Sequence, residues 1–218
     1  MLRLFQRSLT NRWMNRQRLD KYVLQAKREG YRSRAVYKLK QINAKTRPPL
    51  LRRGQVALEL GAAPGSWTQV LLENGMRVVA VDVLPMESMD GEVTFVQGDF
   101  TEDAVQEQLL EAIGDHGKAD LILSDLSPNR SGQRSLDEAR MIDYAEHSIN
   151  LAHRCLRPGG HWLTKLLQGS ELAPLLKRVK PLFKAGGELI KPPASRKESA
   201  EVYLLARGFR PKGTKEHG

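Results

Sequence analysis

The sequence predicts an α/β fold built on a doubly wound, mostly parallel sheet with helices on both faces. Three observations carry that reading. Short apolar runs alternate with helical periods from about residue 55 to residue 207, the βαβα pattern of parallel sheets. The first run leads into a glycine-rich turn that opens a helix, Gly61-Ala62-Ala63-Pro64-Gly65-Ser66. Polar and acidic residues interrupt the apolar runs at their carboxyl ends, where an open parallel sheet binds its ligands.

The elements follow in order. Residues 20–28 suggest a short helix that Gly30 breaks. Ser33 suits the N-cap of a second helix, in which Ala35, Val36, Leu39 and Ile42 form an apolar stripe, and Pro48 and Pro49 close this amino-terminal appendage. A strand at 55–60, the turn at 61–65 and a helix at 66–73 come next. Strands at 77–83 and 93–97 precede a helix at about 102–113 and a strand at 119–125. A longer helix at about 137–155 is expected to end at Pro158-Gly159-Gly160. A strand at 161–167, a helix near 171–182 and two late strands near 188–191 and 200–207 complete the series.

With 218 residues, 40% of them apolar, the chain has enough material for one sizeable core. No apolar run approaches the roughly 20 residues of a membrane span. The single cysteine, Cys155, excludes an internal disulfide, and no Cys/His cluster has zinc-ligand spacing, so a reducing, cytoplasmic compartment is expected.

Charge is divided unevenly. Residues 1–53 carry 16 Lys/Arg against Asp20 and Glu29, whereas residues 54–218 carry 19 against 23 acids. The net charge of +10 therefore belongs to an amino-terminal appendage, with a small basic tail at 209–218. A basic extension on a near-neutral body fits a polyanionic partner, since each neutralised phosphate releases counterions. The expected organisation is a basic, RNA-facing segment at 1–53, an α/β domain at 54–208 and the tail. Residues 1–18, rich in Arg and free of acids, also have the composition of a transit peptide; the RNA-contacting arm is the favoured reading.

The ends of the strands carry the chemistry. Gly61 and Gly65 are spaced G-x-x-x-G, a poor match to the G-x-G-x-x-G of a pyrophosphate-binding turn. Such a turn either leaves room for a nucleoside without phosphates or is an ordinary tight βα loop. Asp82, closing the second strand, can accept from both ribose hydroxyls of an adenosine. Asp99 can take the adenine amino group, with Phe100 or a neighbour packing on the ring. Asp125 closes the fourth strand, Lys165 interrupts the fifth and Glu201 stands in the last. A lysine inside an apolar strand is costly unless it is paired or used for chemistry. These three charges form either a catalytic cluster or a salt-bridge network.

Seven ordered motifs run between Asp20 and Arg207: D-K-Y-V-L-Q-A-K at 20–27, S-R-A-V-Y-K-L at 33–39, L-G-A-A-P-G-S-W at 60–67, D-V-L-P-M at 82–86, Q-G-D-F at 97–100, S-D-L-S-P-N at 124–129 and S-R-K-E-S-A-E-V-Y at 195–203. In these the chain resembles the FtsJ/RrmJ family of ribose 2′-O-methyltransferases. Ser66, Ser127, Thr164 and Leu167 depart from the family's commoner residues without removing a reactive group.

The resemblance implies a Rossmann-like, S-adenosylmethionine-dependent methyltransferase fold with a seven-stranded sheet. It implies a catalytic tetrad at Lys38, Asp125, Lys165 and Glu201, and cofactor contacts at Gly65, Trp67, Asp82, Asp99 and Asp125. It also implies a monomer without metal, acting on a uridine of 23S ribosomal RNA in the large ribosomal subunit. A transfer RNA or another RNA as substrate, or a ribosome-assembly role, are the alternatives. An exocyclic-amine methyltransferase would carry N/D-P-P-Y/F where this chain has S-D-L-S-P-N. Lys165 has two possible roles at the 2′-hydroxyl: a neutral amine that takes its proton, or an ammonium that orients it.

Overall fold

The computed structural model describes residues 20–114, 118–128 and 131–211. The arm expected at 1–18, Asn129 and the tail from Lys212 onward lie outside the described residues. Seven strands form one sheet: β1 (Val56–Leu60), β2 (Arg77–Asp82), β3 (Val93–Gln97), β4 (Ala119–Ser124), β5 (Leu156–Leu167), β6 (Phe183–Ile190) and β7 (Glu201–Phe209). Their order is β3-β2-β1-β4-β5-β7-β6. The first five are parallel; β7 runs antiparallel between β5 and β6. The Rossmann-like α/β architecture expected from the sequence is the one observed.

Side-chain alternation along the strands divides the core into two layers. On one face Leu58 and Leu60, Val79 and Val81, Ile122 and Trp162 pack beneath α4 (Asp103–Gly114), α5 (Arg134–Cys155) and α6 (Leu172–Val179). On the other, Ala57, Val78, Ala80, Leu121, Leu123, Leu163 and Tyr203 pack beneath α1 (Lys21–Arg28), α2 (Val36–Lys45) and α3 (Ser66–Glu73). Val36, Leu39 and Ile42 of α2 are fully buried there, so the stripe read from the sequence anchors the basic segment on the sheet.

Local chemistry sets the helix ends. Asp20 caps α1 by accepting from the Tyr22 N–H at 3.0 Å. Ser33 does not cap α2 directly: its hydroxyl accepts the Ala35 N–H in the preceding turn, and the helix begins at Val36. Helix α5 starts at Arg134, about a turn earlier than expected. Two strand starts also differ from the sequence reading. Strand β5 begins at Leu156, directly after α5, because Pro158, Gly159 and Gly160 sit in an irregularity between the pairs Ala119↔Leu156 and Leu121↔His161. Strand β6 begins at Phe183 because backbone pairing to β7 carries it through the pattern-free Lys184-Ala185-Gly186-Gly187.

One buried acid lies on the α3 face of the sheet. Glu59 is 2% exposed and accepts a 2.7 Å bond from the Thr68 hydroxyl. Burial raises its carboxyl from the ordinary 4.5 to about 8; the Thr68 bond opposes the rise, and the carboxylates of Asp125 and Asp82 add to it. Between these two pH values the unfolded chain has released the proton that the folded chain retains. Stability therefore falls as pH rises through this window, by about 5 kcal/mol at most. Glu59→Gln should remove that dependence. Its melting temperature should exceed the wild type's by several degrees at pH 8.5 and match it near pH 4.5. Parallel curves would exclude Glu59 as the titrating group.

Candidate active site

The carboxyl ends of β1, β2 and β4, with the segment that follows β3, open onto a cleft of about 370 Å³. Gly61 follows β1 at φ +78°, and its missing side chain leaves room for Leu126, which a Cβ would meet at 2.5 Å. Asp82 ends β2. Its Oδ2 accepts the Ala63 N–H at 2.9 Å and its Oδ1 the Leu84 N–H at 2.8 Å, so one carboxylate braces both loops of the cleft. Asp99 accepts the Thr101 N–H and hydroxyl on Oδ1, at 2.9 and 2.8 Å. The Phe100 ring packs on Tyr144 at 5.9 Å.

Gly61, Asp82, Asp99, Phe100 and Asp125 all line this cleft; Gly65 and Trp67 do not. Trp67 is buried, with its indole N–H donated to the Ala35 carbonyl at 2.9 Å and its ring against Tyr203. Gly65 precedes α3 at φ +100°. In this structure the two residues build the frame rather than the lining. Among the described residues the lining offers three carboxylates and no lysine, arginine or histidine. Such a site repels phosphate and suits a ligand carrying positive charge.

The four residues that sequence resemblance drew together do meet. Lys165 Nζ lies 3.1 Å from Asp125 Oδ1 and donates to the Asp125 carbonyl at 2.6 Å. Lys38 Nζ lies 2.9 Å from Glu201 Oε2 and 3.7 Å from Asp125 Oδ1. Topology explains the convergence: β4, β5 and β7 are neighbours, and α2 lies across their α3-side face. In the β5–β7 register Lys165 is opposite Tyr203 and Leu167 opposite Glu201.

The sequence reading missed two members of this cluster. Tyr203 donates its hydroxyl to Asp125 Oδ1 at 2.6 Å, and Ser195 donates to Glu201 Oε1 at 2.7 Å. Tyr203 stands two residues from Glu201, on the same side of its strand, a spacing that could have revealed it. Ser195 comes from an irregular loop and left no periodic signal.

Burial alone would raise the Asp125 carboxyl, but Lys165, Lys38 and the Tyr203 hydroxyl outweigh it and hold it below the usual aspartate range. Burial and the facing carboxylates of Asp125 and Glu201 push the Tyr203 phenol well above the ordinary tyrosine value, which keeps it a donor. A second cleft, of about 330 Å³, opens on the far side of the cluster and is lined by Lys165, Glu201, Arg134 and Ser199. The two clefts share Ser127 and Pro128. The charged cluster stands where they join.

This sheet order, with its ligand cleft at the strand ends and a charged cluster beside it, defines a Rossmann-like methyltransferase. The FtsJ-like methyltransferase family model matches residues 31–209, and the chain belongs to that family. It is 48% identical over 204 residues to the ribosomal RNA large subunit methyltransferase E of Pseudomonas aeruginosa, covering 92% of this chain and 96% of that protein. A relative of the same name from Granulibacter bethesdensis is 42% identical over 95% of this chain and 88% of its own length. A Plasmodium falciparum protein crystallised as a ribosomal RNA methyltransferase superposes with a TM-score of 0.72 at 28% identity, over 82% of this chain and 98% of that one. The 1,6-didemethyltoxoflavin-N1-methyltransferase of Burkholderia thailandensis, solved with 1,6-didemethyltoxoflavin and S-adenosylhomocysteine, shares the fold at a TM-score of 0.54 and 19% identity, over 81% and 79% of the two chains.

Proposed function

We propose that this methyltransferase uses S-adenosylmethionine to methylate a ribose 2′-hydroxyl of RNA, on a uridine of 23S ribosomal RNA in the large ribosomal subunit. The observation that carries the reading is the Lys38–Asp125–Lys165–Glu201 cluster at the junction of two clefts, the first of which has, among the described residues, acids as its only charged lining. Bound in the acidic cleft, S-adenosylmethionine supplies a methyl carbon already activated by its sulfonium. Asp82 would hold its ribose hydroxyls and Asp99 its adenine edge.

The residues of the chain then have to bring an acceptor oxygen into line. Lys165 spends two donor directions on Asp125 and can aim the third at the 2′-oxygen, stabilising the charge that would grow there. The O–CH3 bond would form as the S–CH3 bond breaks, leaving S-adenosylhomocysteine, and the hydroxyl proton would pass to water in the second cleft, which Lys165 lines. Asp125 fixes that aim and is itself fixed by Tyr203. Lys38, tied to Glu201, faces the same point from α2 and would orient the ribose.

The large-subunit substrate is supported by the names of the relatives and by the basic character of residues 1–53, which on this reading face the RNA. The same reading makes the protein a monomer acting in the cytoplasm. Among the described residues, no helix is long and apolar enough to cross a membrane. Mapping ribose methylation in a strain lacking this gene tests the substrate. One large-subunit ribose methyl group should disappear and return with the wild-type gene. An unchanged large-subunit map would refute the assignment.

A further inference from the structure

One arginine ties three pieces of chain together beside the acidic cleft. Arg32 lies in the connection between α1 and α2. Its guanidinium donates to three backbone carbonyls: Pro64 and Glu87 through Nη1 and Ser88 through Nη2, each at 2.9 Å. Its own N–H donates to Gln69 Oε1 at 2.9 Å, and Gln69 Nε2 donates to the Gly30 carbonyl at 3.2 Å, so the arginine is seated on α3. Pro64 belongs to the turn that carries Gly61 and Ala63. Glu87 and Ser88 belong to the segment that begins with Asp82, Val83 and Leu84. Both stretches line the cleft.

Gly65 shows how closely this clamp shuts. A Cβ there would come within 2.9 Å of Arg32 Nη1 and of Met86 Sδ, and would overlap Met89 Cε. The second glycine of the G-x-x-x-G turn thus makes room for the clamp, at a place where the family resemblance implied cofactor contact.

We propose that Arg32 is a positioning residue for the cofactor cleft: it fixes the spacing of the 61–65 turn and the 82–90 segment at which S-adenosylmethionine binds. The inference rests on the cofactor reading given above. A planar guanidinium offers a rigid fork of donors, whereas a lysine ammonium is a single point on a flexible stem. Without the fork, the two loops must be ordered at the moment of binding, and that entropy is subtracted from affinity. None of its three partners belongs to the charged cluster, so the effect falls on cofactor affinity and leaves turnover at saturation intact.

The test is calorimetric titration of the full chain with S-adenosylhomocysteine, together with methyl-transfer rates on large subunits over a range of S-adenosylmethionine concentrations. Arg32→Ala should raise Kd and cofactor KM by about tenfold or more and keep kcat within about threefold. Arg32→Lys, which keeps the charge but loses the fork, should recover little of that affinity. Unchanged Kd in Arg32→Ala, full rescue by lysine, or a loss of kcat at constant KM would overturn the proposal. Asp82→Ala, run alongside, separates the two readings. If it too leaves Kd unchanged, the cofactor assignment fails; if it weakens binding while Arg32→Ala does not, only the clamp fails. Should Arg32→Ala not fold, Gln69→Ala unseats the same arginine and should raise Kd severalfold at constant kcat, and an unchanged Kd there overturns the proposal equally.

Discussion

Lys165→Ala is expected to lower methyl transfer by about a thousandfold while S-adenosylhomocysteine still binds within about threefold of the wild-type affinity. Lys165 lies in the second cleft and is not part of the lining of the first. Its loss removes the donor aimed at the acceptor oxygen and leaves the cofactor site standing. The fold should survive, because Asp125 keeps its bond from Tyr203 and its neighbour Lys38. Lys165→Arg should not rescue the reaction, since a guanidinium is wider and differently shaped in a position that is 7% exposed. Single-turnover rates at saturating cofactor make the measurement. A rate near that of the wild type in Lys165→Ala would remove this residue from the chemistry.

The second large effect concerns affinity. Asp82→Ala should weaken cofactor binding about a hundredfold or more by calorimetry. The carboxylate accepts one N–H from each of two loops, and a ribose would add two hydroxyl donors to the same oxygens. Charge-assisted hydrogen bonds of this kind contribute about 1.5–3 kcal/mol each, and two of them account for a hundredfold. Saturating cofactor should restore much of the rate, the reverse of the pattern for Lys165. Unchanged affinity would take Asp82 out of the cofactor site.

What could be read from the chain and what could not divide along physical lines. Asp82, Asp99 and Asp125 were legible because a parallel sheet presents its ligand at the ends of its strands, and an acid closing an apolar run announces itself. Lys165 was legible because its placement in an apolar strand demands a partner. Its register opposite Tyr203 depends on β7 inserting antiparallel between β5 and β6, and strand order leaves no local mark in the sequence. Lys38 reached the cluster through resemblance alone, since nothing local to α2 says which strand it will cross. Arg32 was hidden for a different reason: its partners are backbone carbonyls, which every residue possesses. The starts of β5 and β6 were missed where Pro and Gly broke the hydrophobic pattern while backbone pairing continued.

On the proposed mechanism a sugar oxygen, and not a base nitrogen or carbon, receives the methyl group at the junction of the two clefts. The most direct measurement gives the wild-type protein labelled S-adenosylmethionine and large subunits isolated from cells lacking this gene, then digests the RNA to nucleosides and separates them. All of the label is predicted in a 2′-O-methylated nucleoside, with none transferred by Lys165→Ala. Label recovered on a base, or transferred equally well by that variant, would contradict it.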